Sequence, residues 1–427
     1  MPSLMNCDSL MNRDSLTRRD ALRLAGLGAG TALAGCIEDP NGEGSTPSPT
    51  PSPIPTSTPS PTPGPVEPEP PDKIESEWPA PAYDPGLTNH ADVDGPDDPV
   101  GALWEVEIGE EPTSPVVSRI GSGATAFVGD GETVVSVDAR TGEERWAEPL
   151  DDSVKSVWAV PEDLYVVGEA AVYGLDPETG DRRWTVEADP IGDAVVTDRG
   201  AYVLRLDSDE ALTLARITDE EVQWTTELDK RGARWGWLVD GGDAVFVGAH
   251  VADVITWWAI DPETGQVQNR SGDVSHYPVP VAHRDGATYA LEAFYATLRR
   301  VALDGDGVET EWSTGLNDAY GGPWPIAVSP DTLYTHTTDG DGAGLHALDA
   351  ASGDLAWTQD GVEEAEALVS TEGSVLVHDG DALRAFDPED GTERWQVPVV
   401  SADGGLCVVD DLVIVAGEDG LVGYRPG

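Results

Sequence analysis

Two groups of closely spaced carboxylates are the first candidates for chemistry, because carboxylate oxygens are the ligands that calcium prefers. Asp304 and Asp306 alternate with glycines, and Asp341 lies between two further glycines. Neither group continues to the bidentate glutamate at the twelfth position of a calcium-binding loop. We therefore interpret both groups as turns, and the sequence predicts no metal site.

The other residue types that perform catalysis show no usable spacing. No two histidines have the i, i+4 spacing of a helical zinc motif, and neither a Gly-x-Ser-x-Gly elbow nor a phosphate-binding loop is present. The sequence therefore predicts no catalytic residue. The histidines are His90, His250, His276, His283, His336, His346 and His378.

A recurring phrase of nine residues indicates which elements carry these side chains. Each copy begins with Asp, closes a turn on Thr-Gly or a similar pair, and in its full form places Trp eight positions after the Asp. An Asp carboxylate accepts hydrogen bonds from amides two residues on, and Gly adopts positive φ, so each copy predicts a strand, a tight turn and a second strand. The clearest copies span 138–146, 176–184, 349–357 and 387–395, and weaker copies end at Trp224, Asn269 and Trp312.

The copies follow one another about every forty residues, and short runs rich in β-branched residues separate them. No stretch of residues 100–427 shows a sustained helical period. Repeats of this length with one turn phrase per repeat are typical of stacked β-sheets.

The two ends of the repeat region complement each other. After Trp395 the chain has three more short apolar runs, at 405–409, 412–415 and 421–424, and a fourth is missing there. The run 101–108, which contains Trp104, has the missing pattern. Pairing the two ends in one sheet removes exposed strand edges. The sequence therefore predicts an all-β fold over residues 100–427: an eight-bladed β-propeller of four-stranded antiparallel blades, with the ring closed by N- and C-terminal strands.

The strand-Asp-x-x-Thr-Gly-x-x-x-Trp phrase resembles the repeat of pyrroloquinoline-quinone-type β-propellers over roughly residues 100–427. The resemblance implies that each Trp docks between adjacent blades. The docking residues would be Trp104, Trp146, Trp184, Trp224, Trp312, Trp357 and Trp395.

The same repeat occurs in quinoprotein dehydrogenases and in non-catalytic lipoprotein propellers, so the resemblance implies a fold more than a chemistry. The dehydrogenases commonly carry an adjacent Cys-Cys pair beside the cofactor. Here the three cysteines are Cys7, Cys36 and Cys407, and none are adjacent. We therefore expect no cofactor.

An aromatic cluster is the remaining candidate site. Aligning the innermost strands of the predicted blades places Trp235 with Trp324, where the strands of blades four to six begin. That end of a propeller faces the mouth of the axial channel, where ligands usually bind. The alternative is that the rings fill the channel. The possible ligand or partner residues are Arg234, Trp235, Trp237, His276, Tyr277, Tyr320 and Trp324.

The N-terminus resembles a twin-arginine export signal joined to a lipobox. Arg18 and Arg19 precede an apolar run at 21–35, which ends at Cys36. A transmembrane helix needs ~20 apolar residues, and this run is shorter. The resemblance implies that residues 1–35 are a signal peptide, and that acylated Cys36 anchors the chain in membrane lipid at the extracellular face.

Residues 36–99 are interpreted as a disordered linker rich in Pro, Ser and Thr, strongest at 40–71. Such a segment favours extended polyproline conformations, which rise ~3.1 Å per residue. The linker would therefore separate the ring from the membrane.

The composition indicates a high-salt environment. The chain has 80 Asp and Glu against 24 Lys and Arg, for a formal net charge of −56. Such charge repels itself in dilute buffer and is screened at molar salt, which favours an extreme halophile. Calcium binding and a cationic partner are alternative explanations, and nucleic acid is excluded as a partner by the sign of the charge.

Together these features predict a membrane-anchored propeller that acts as a non-catalytic binding or scaffold module for an unidentified surface protein or ligand. The alternative is a quinone-dependent dehydrogenase of sugars or alcohols, which would need a cofactor, a metal and polar residues converging on the axis.

Overall fold

The computed structural model describes residues 68–427, apart from positions 110, 121–122, 193, 208, 219, 234, 252–253, 272–277, 293–296, 305–306, 317–324, 339–343, 363–364, 381, 400, 403 and 419. All regular secondary structure within these ranges is β-strand. The described part of the chain contains no helix long and apolar enough to cross a membrane.

The strands are short and follow one another through tight turns. The first are β1 (His90–Ala91), β2 (Val100–Val106), β3 (Val116–Ile120), β4 (Gly123–Asp130), β5 (Thr133–Asp138), β6 (Glu144–Pro149), β7 (Val154–Val160), β8 (Asp163–Gly168), β9 (Ala171–Leu175), β10 (Arg182–Glu187) and β11 (Ala194–Thr197). Next are β12 (Gly200–Leu206), β13 (Ala211–Thr218), β14 (Glu221–Arg231), β15 (Trp235–Asp240), β16 (Val245–Val251), β17 (Val254–Ile260), β18 (Val267–Arg270), β19 (Pro278–Arg284), β20 (Ala287–Glu292), β21 (Thr297–Asp304) and β22 (Gly307–Gly315). The last are β23 (Ile326–Val328), β24 (Thr332–Thr337), β25 (Gly344–Asp349), β26 (Leu355–Gln359), β27 (Ala367–Thr371), β28 (Val375–His378), β29 (Ala382–Phe386), β30 (Glu393–Pro398), β31 (Gly405–Val409), β32 (Leu412–Gly417) and β33 (Gly420–Pro426).

The strands form eight antiparallel four-stranded blades, one of them extended by the short parallel strand β1, which confirms the predicted eight-bladed β-propeller. We number the blades in chain order. Blades 1 to 7 are β3–β6, β7–β10, β11–β14, β15–β18, β19–β22, β23–β26 and β27–β30, and blade 8 is β31–β33 with β2. The first strand of each blade contacts the first strands of its neighbours and is therefore the innermost.

Blade 8 closes the ring as predicted. Strand β2 pairs antiparallel with β33, with Val100 opposite Pro426 and Val106 opposite Leu421. One blade therefore contains strands from both ends of the propeller. This pairing covers an edge of β33 that would otherwise expose a row of unpaired backbone groups.

The burial pattern explains why the inner strands read as continuous apolar runs. Every residue of β9 is buried, because neighbouring blades cover both faces of the sheet. The outermost strand β10 is mostly exposed, with Trp184 as its buried residue. The alternation of buried and exposed residues is therefore seen at the rim of the ring and not in the inner strands.

Residues 74–97, called the strap here, run along the ends of the innermost strands. Trp78 is fully buried. It exchanges backbone hydrogen bonds with Val117 of blade 1 at 2.8 and 2.7 Å. The carbonyl of Pro79 then accepts from Ala159 of blade 2 at 2.8 Å, and the Asp410 carboxylate of blade 8 accepts from Glu75 N at 2.7 Å.

The second half of the strap continues round the ring. Gly86 O accepts a hydrogen bond from His283 N of blade 5 at 2.8 Å, and Thr88 O accepts from Val328 N of blade 6 at 2.7 Å. Strand β1 then pairs parallel with β27 of blade 7. With Pro85 O accepting from Asp240 N of blade 4, the strap is hydrogen-bonded to seven of the eight blades.

The strap differs from the disordered linker that the sequence suggested for residues 36–99. Ile74, Trp78 and Leu87 are buried but stand singly among prolines and polar residues, so they form no periodic pattern. Ile74 and Trp78 pack in the cluster of blades 7, 8 and 1, and Leu87 packs in the cluster of blades 2 to 4, contacts that local sequence does not encode. The signal peptide, Cys36 and the linker up to residue 67 lie outside the described residues.

Candidate functional site

The indoles of the repeat phrase lie at the seams between blades. In five seams the ring packs on the glycine of the next blade's turn: Trp104 on Gly142, Trp146 on Gly180, Trp224 on Gly265, Trp312 on Gly353 and Trp357 on Gly391. A Cβ added to Gly180, whose φ is +78°, would lie 2.7 Å from the Trp146 ring. Glycine is therefore required both for the turn and for the close approach of the indole.

The indole N–H often adds a hydrogen bond across the seam. Nε1 of Trp104 donates to Ala139 O at 3.0 Å, and Nε1 of Trp146 donates to Pro177 O at 3.1 Å. Trp184 instead meets Tyr165 of its own blade edge to face, with ring centroids 5.1 Å apart. Trp395 is buried in the hydrophobic cluster that joins blades 7, 8 and 1.

Replacing a seam indole should destabilise the whole ring. Trp104→Ala removes a side chain that is 8% exposed, and we expect a loss of ~3–5 kcal/mol in the free energy of unfolding. Leu355→Ala on the exposed face of β26 is the control, with an expected change below ~0.5 kcal/mol. Denaturant unfolding in molar salt measures both, and equal values would contradict a docking role for the indole.

Little of the predicted aromatic cluster can be placed. Strand β15 begins at Trp235, where the sequence placed the start of an inner strand, and Trp237 is half-buried against the hydrophobic cluster of blades 4 to 6. The side chain of Trp235 is not among the described ones. Arg234, His276, Tyr277, Tyr320 and Trp324 lie outside the described residues.

The start of the innermost strands and the end of the second strands define one face, called the far face here, opposite the strap. In blades 5, 6 and 7 the last two residues of the second strand include a buried titratable side chain: Glu292, His336 and His378. The sequence analysis tested histidines only for zinc spacing and missed this placement. The signal available to it was the recurrence of these residues at the ends of β-branched runs.

The buried histidines are held by hydrogen bonds. His336 Nε2 lies 2.9 Å from Val362 O, while its Nδ1 has no partner among the described groups. His346 lies 2.8 Å from the Thr337 hydroxyl and 3.1 Å from the Thr358 hydroxyl. Burial, and to a lesser extent the nearby His336, lowers the pKa of His346 to about 4, and burial also lowers the pKa of His336. Both side chains are therefore neutral near pH 7 and act as acceptors or donors rather than as cations.

Two further contacts at this end involve carboxylates. Glu292 forms an ion pair with Arg299, and His378 Nδ1 lies 3.2 Å from Glu366 Oε2. Within the described ranges, no three His, Cys, Asp or Glu side chains are placed to hold a metal ion. The arrangement offers hydrogen bonding and contact surface at the far face.

The fold and its seams define a propeller of the quinone-repeat class, and the sequence matches a family model at two stretches. The model is described as outer membrane protein assembly factor BamB, and it matches residues 97–214 and 296–426, together more than half of the chain. The chain therefore belongs to this family. Among curated proteins, none matches the sequence.

Solved structures with the same fold have different activities. The quinohemoprotein alcohol dehydrogenase ADHIIG of Pseudomonas putida HK5 is 12% identical, with a TM-score of 0.60 over 82% of this chain and 80% of that one. BamB of Moraxella catarrhalis is 17% identical, with a TM-score of 0.55 over 77% of this chain and all of that one. Sqt1 of Saccharomyces cerevisiae is 11% identical, with a TM-score of 0.56 over 77% and 100%. At these identities the likenesses show the fold alone.

Proposed function

We propose that this chain is an exported, lipid-anchored propeller that binds a protein partner at the far face and works as a non-catalytic scaffold. The observation that carries the proposal is the position of the strap, which is hydrogen-bonded to seven blades at the opposite face. A partner approaching the axis therefore has the far face available. The family description as an assembly factor supports a protein rather than a small molecule as the partner.

The anchor supports the same orientation. The first described residues leave the ring at the rim between blades 8 and 1, where Arg425 donates to Glu69 O at 2.6 Å and Arg140 donates to Pro71 O at 2.7 Å. A linker that runs from acylated Cys36 to this point is attached to the ring at the strap face. The far face then points away from the membrane, toward proteins of the cell surface.

The partner test uses Trp235 and Trp237, two residues at the start of β15. Full-length protein with Trp235→Ala and Trp237→Ala should lose capture of the partner found by pull-down from native membranes in high salt, while its circular dichroism stays unchanged. Truncating one interface anchor typically costs ~2 kcal/mol or more, so capture should fall at least about tenfold. Leu355→Ala, on an outer strand, is the matched control. Capture that survives the double substitution would remove the far face from the proposal.

The anchor test uses the N-terminal signal. Cys36→Ala should move the protein from the membrane fraction to the medium or leave it unprocessed, and replacing Arg18 and Arg19 by Lys should block export. A Cys36→Ala chain that is still processed and membrane-bound would overturn the lipid anchor.

A quinone-dependent dehydrogenase is the second candidate, because the quinohemoprotein alcohol dehydrogenase shares the fold over most of this chain. The scaffold proposal expects no stoichiometric binding of pyrroloquinoline quinone with calcium, and no dye reduction driven by alcohols or sugars. Micromolar quinone binding that is lost in the Trp235 and Trp237 double variant would favour the enzyme.

A further inference from the structure

The seam between blades 4 and 5 lacks its indole. Asn269 pairs with Ala259, and a register shift follows at once. Trp146 and Trp357 occupy the same place, opposite Ser136 and Ala347, with the same shift. Asn269 is therefore the structural equivalent of a docking tryptophan.

Four filled seams share a second feature, an aromatic ring two strands inward that contacts the indole. Phe127 and Trp146 have ring centroids 5.7 Å apart at 41°, and Tyr334 and Trp357 have 5.9 Å at 42°. The pairs Tyr202–Trp224 and Tyr289–Trp312 lie at 6.0 Å and 6.2 Å with similar angles. The repeated geometry shows that blades 1, 3, 5 and 6 each build a half-site for an indole.

Blade 4 keeps this half-site without the ring that fills it elsewhere. Phe246 pairs with Ala259, as Phe127 pairs with Ser136, so Phe246 holds the inner aromatic position. It stacks instead on His283 of blade 5, with ring centroids 5.3 Å apart at 25°.

A cavity of about 400 Å³ lies where the indole would be. Its walls come from both blades and combine apolar side chains with polar groups, among them the side chains of Gln268, Asn269 and Thr288. An indole fits this chemistry, because it has large apolar faces and one N–H donor. The lining includes Phe246, Ala259, Asn269, Thr288, Val301 and Ala302.

We propose that this cavity docks a tryptophan side chain supplied by a partner protein. The other seams show what the half-site accepts, and the undescribed residues 1–67 contain no Phe, Trp or Tyr that could fill it. Among the described residues no indole lines the cavity, whose lining includes Gly286 in a turn at the strap face. The proposed occupant is a tryptophan of another chain.

The rim of the cavity indicates what flanks the tryptophan of the partner. Gln268 lines the cavity and is held by the Asp261 carboxylate and by the carbonyl of Asp243, each at 3.3 Å. Asp285 lies beside Gly286 on the other blade. A tryptophan flanked by basic or neutral residues suits this acidic rim, because like charges there would be repelled.

The test titrates full-length protein with N-acetyl-L-tryptophanamide and with the peptide Gly-Gly-Trp-Gly-Gly, by calorimetry in molar salt. One saturable site with a dissociation constant on the order of 1 mM is expected for a single buried ring. N-acetyl-L-leucinamide should bind at least about tenfold more weakly, because it cannot stack on Phe246.

Asn269→Trp should fill the cavity from within, raise the melting temperature and abolish binding of both tryptophan probes. Gln223→Trp is the matched control, because it adds an exposed indole beside a seam that Trp224 already fills. It should leave binding unchanged. Trp235→Ala with Trp237→Ala should also leave it unchanged, which separates this site from the far face.

Three results would overturn the proposal. They are a lack of saturable binding of N-acetyl-L-tryptophanamide, binding that Asn269→Trp leaves intact, and binding of the amide without binding of the peptide. The last result would show a small-molecule cavity that a chain-borne indole cannot enter. A higher melting temperature of Asn269→Trp without any probe binding to the parent protein counts against docking as well.

Discussion

A chain that begins at residue 108 should fail to form the ring. It lacks both β2 and the strap, so blade 8 loses its outermost strand and β33 exposes an unpaired edge. It also loses Trp104, which packs against Gly142 of blade 1 and Gly423 of blade 8. Because closure and strap both join distant parts of the ring, we expect no cooperative thermal transition and extensive aggregation.

Two longer chains separate the contributions of closure and strap. A chain of residues 68–427 should melt like the full-length protein, because it keeps every described contact. A chain of residues 98–427 keeps β2 and loses the strap, including the fully buried Trp78. Loss of that side chain alone costs ~3–5 kcal/mol by analogy with other buried aromatics. It also leaves the Asp240 and Val328 amides without their strap carbonyls.

Calorimetry of the three chains in molar salt decides between these roles. Equal melting temperatures for 68–427 and 98–427 would show that the strap is a passive tail. A cooperative transition in 108–427 would show that the ring does not depend on its closing strand. Adding a synthetic peptide of residues 72–97 to the 98–427 chain should restore part of the lost stability.

The blade architecture could be predicted from the sequence because its signals are local. In the turn after Asp176, Glu178 N and Thr179 N donate to the Asp176 carboxylate at 2.8 and 3.1 Å, and Gly180 adopts positive φ. The phrase recurs in full in four blades and in weaker form in three more, so its spacing of about forty residues indicates the number of blades. The ring closure was also predictable, since each end of the repeat region holds the strands that the other lacks.

The strap and the cavity could not be predicted, because both depend on which residues meet across the ring. Trp78 and Leu87 have no periodic neighbours, and their burial depends on blades whose strands lie far along the chain. The segment that ends at Asn269 is a weak copy of the repeat phrase in the sequence. The pairing of Phe246 with Ala259 in the structure shows that an indole half-site remains there. Departures from a repeat identify positions to inspect, but the structure decides what replaces the missing contact.

The far-face candidates stay predictions, and only the start of one inner strand can be compared with the sequence analysis. Strand β15 begins at Trp235, as aligning the inner strands indicated, because the alternating apolar pattern fixes where a strand starts. The residues that flank the neighbouring inner strands lie outside the described part, so their role stays a prediction. The buried His336 and His378 were missed, since the histidines were tested only for zinc spacing and not for their recurrence at the ends of β-branched runs.

Lowering sodium chloride from molar concentration to ~0.1 M should unfold or strongly destabilise the protein, because the Debye length then grows from ~3 to ~10 Å and carboxylates repel over larger distances. The formal net charge is −56. Many arginines are already engaged, as in the ion pairs Arg145–Asp138 and Arg394–Asp387, so they cannot neutralise further carboxylates.

The charge itself can be varied to separate screening from other effects of salt. Replacing the exposed Glu132, Glu143, Glu178 and Glu389 by Gln should shift the salt midpoint of unfolding to lower concentration, since each change removes one repelling charge. Replacing Gln223 and Gln396 by Asn is the control, which leaves the charge unchanged. Circular dichroism and melting temperatures that stay constant between molar and ~0.1 M salt would contradict a halophilic origin. If the four Glu substitutions leave the salt midpoint of unfolding unchanged, salt acts through hydrophobic burial or ion binding instead of screening.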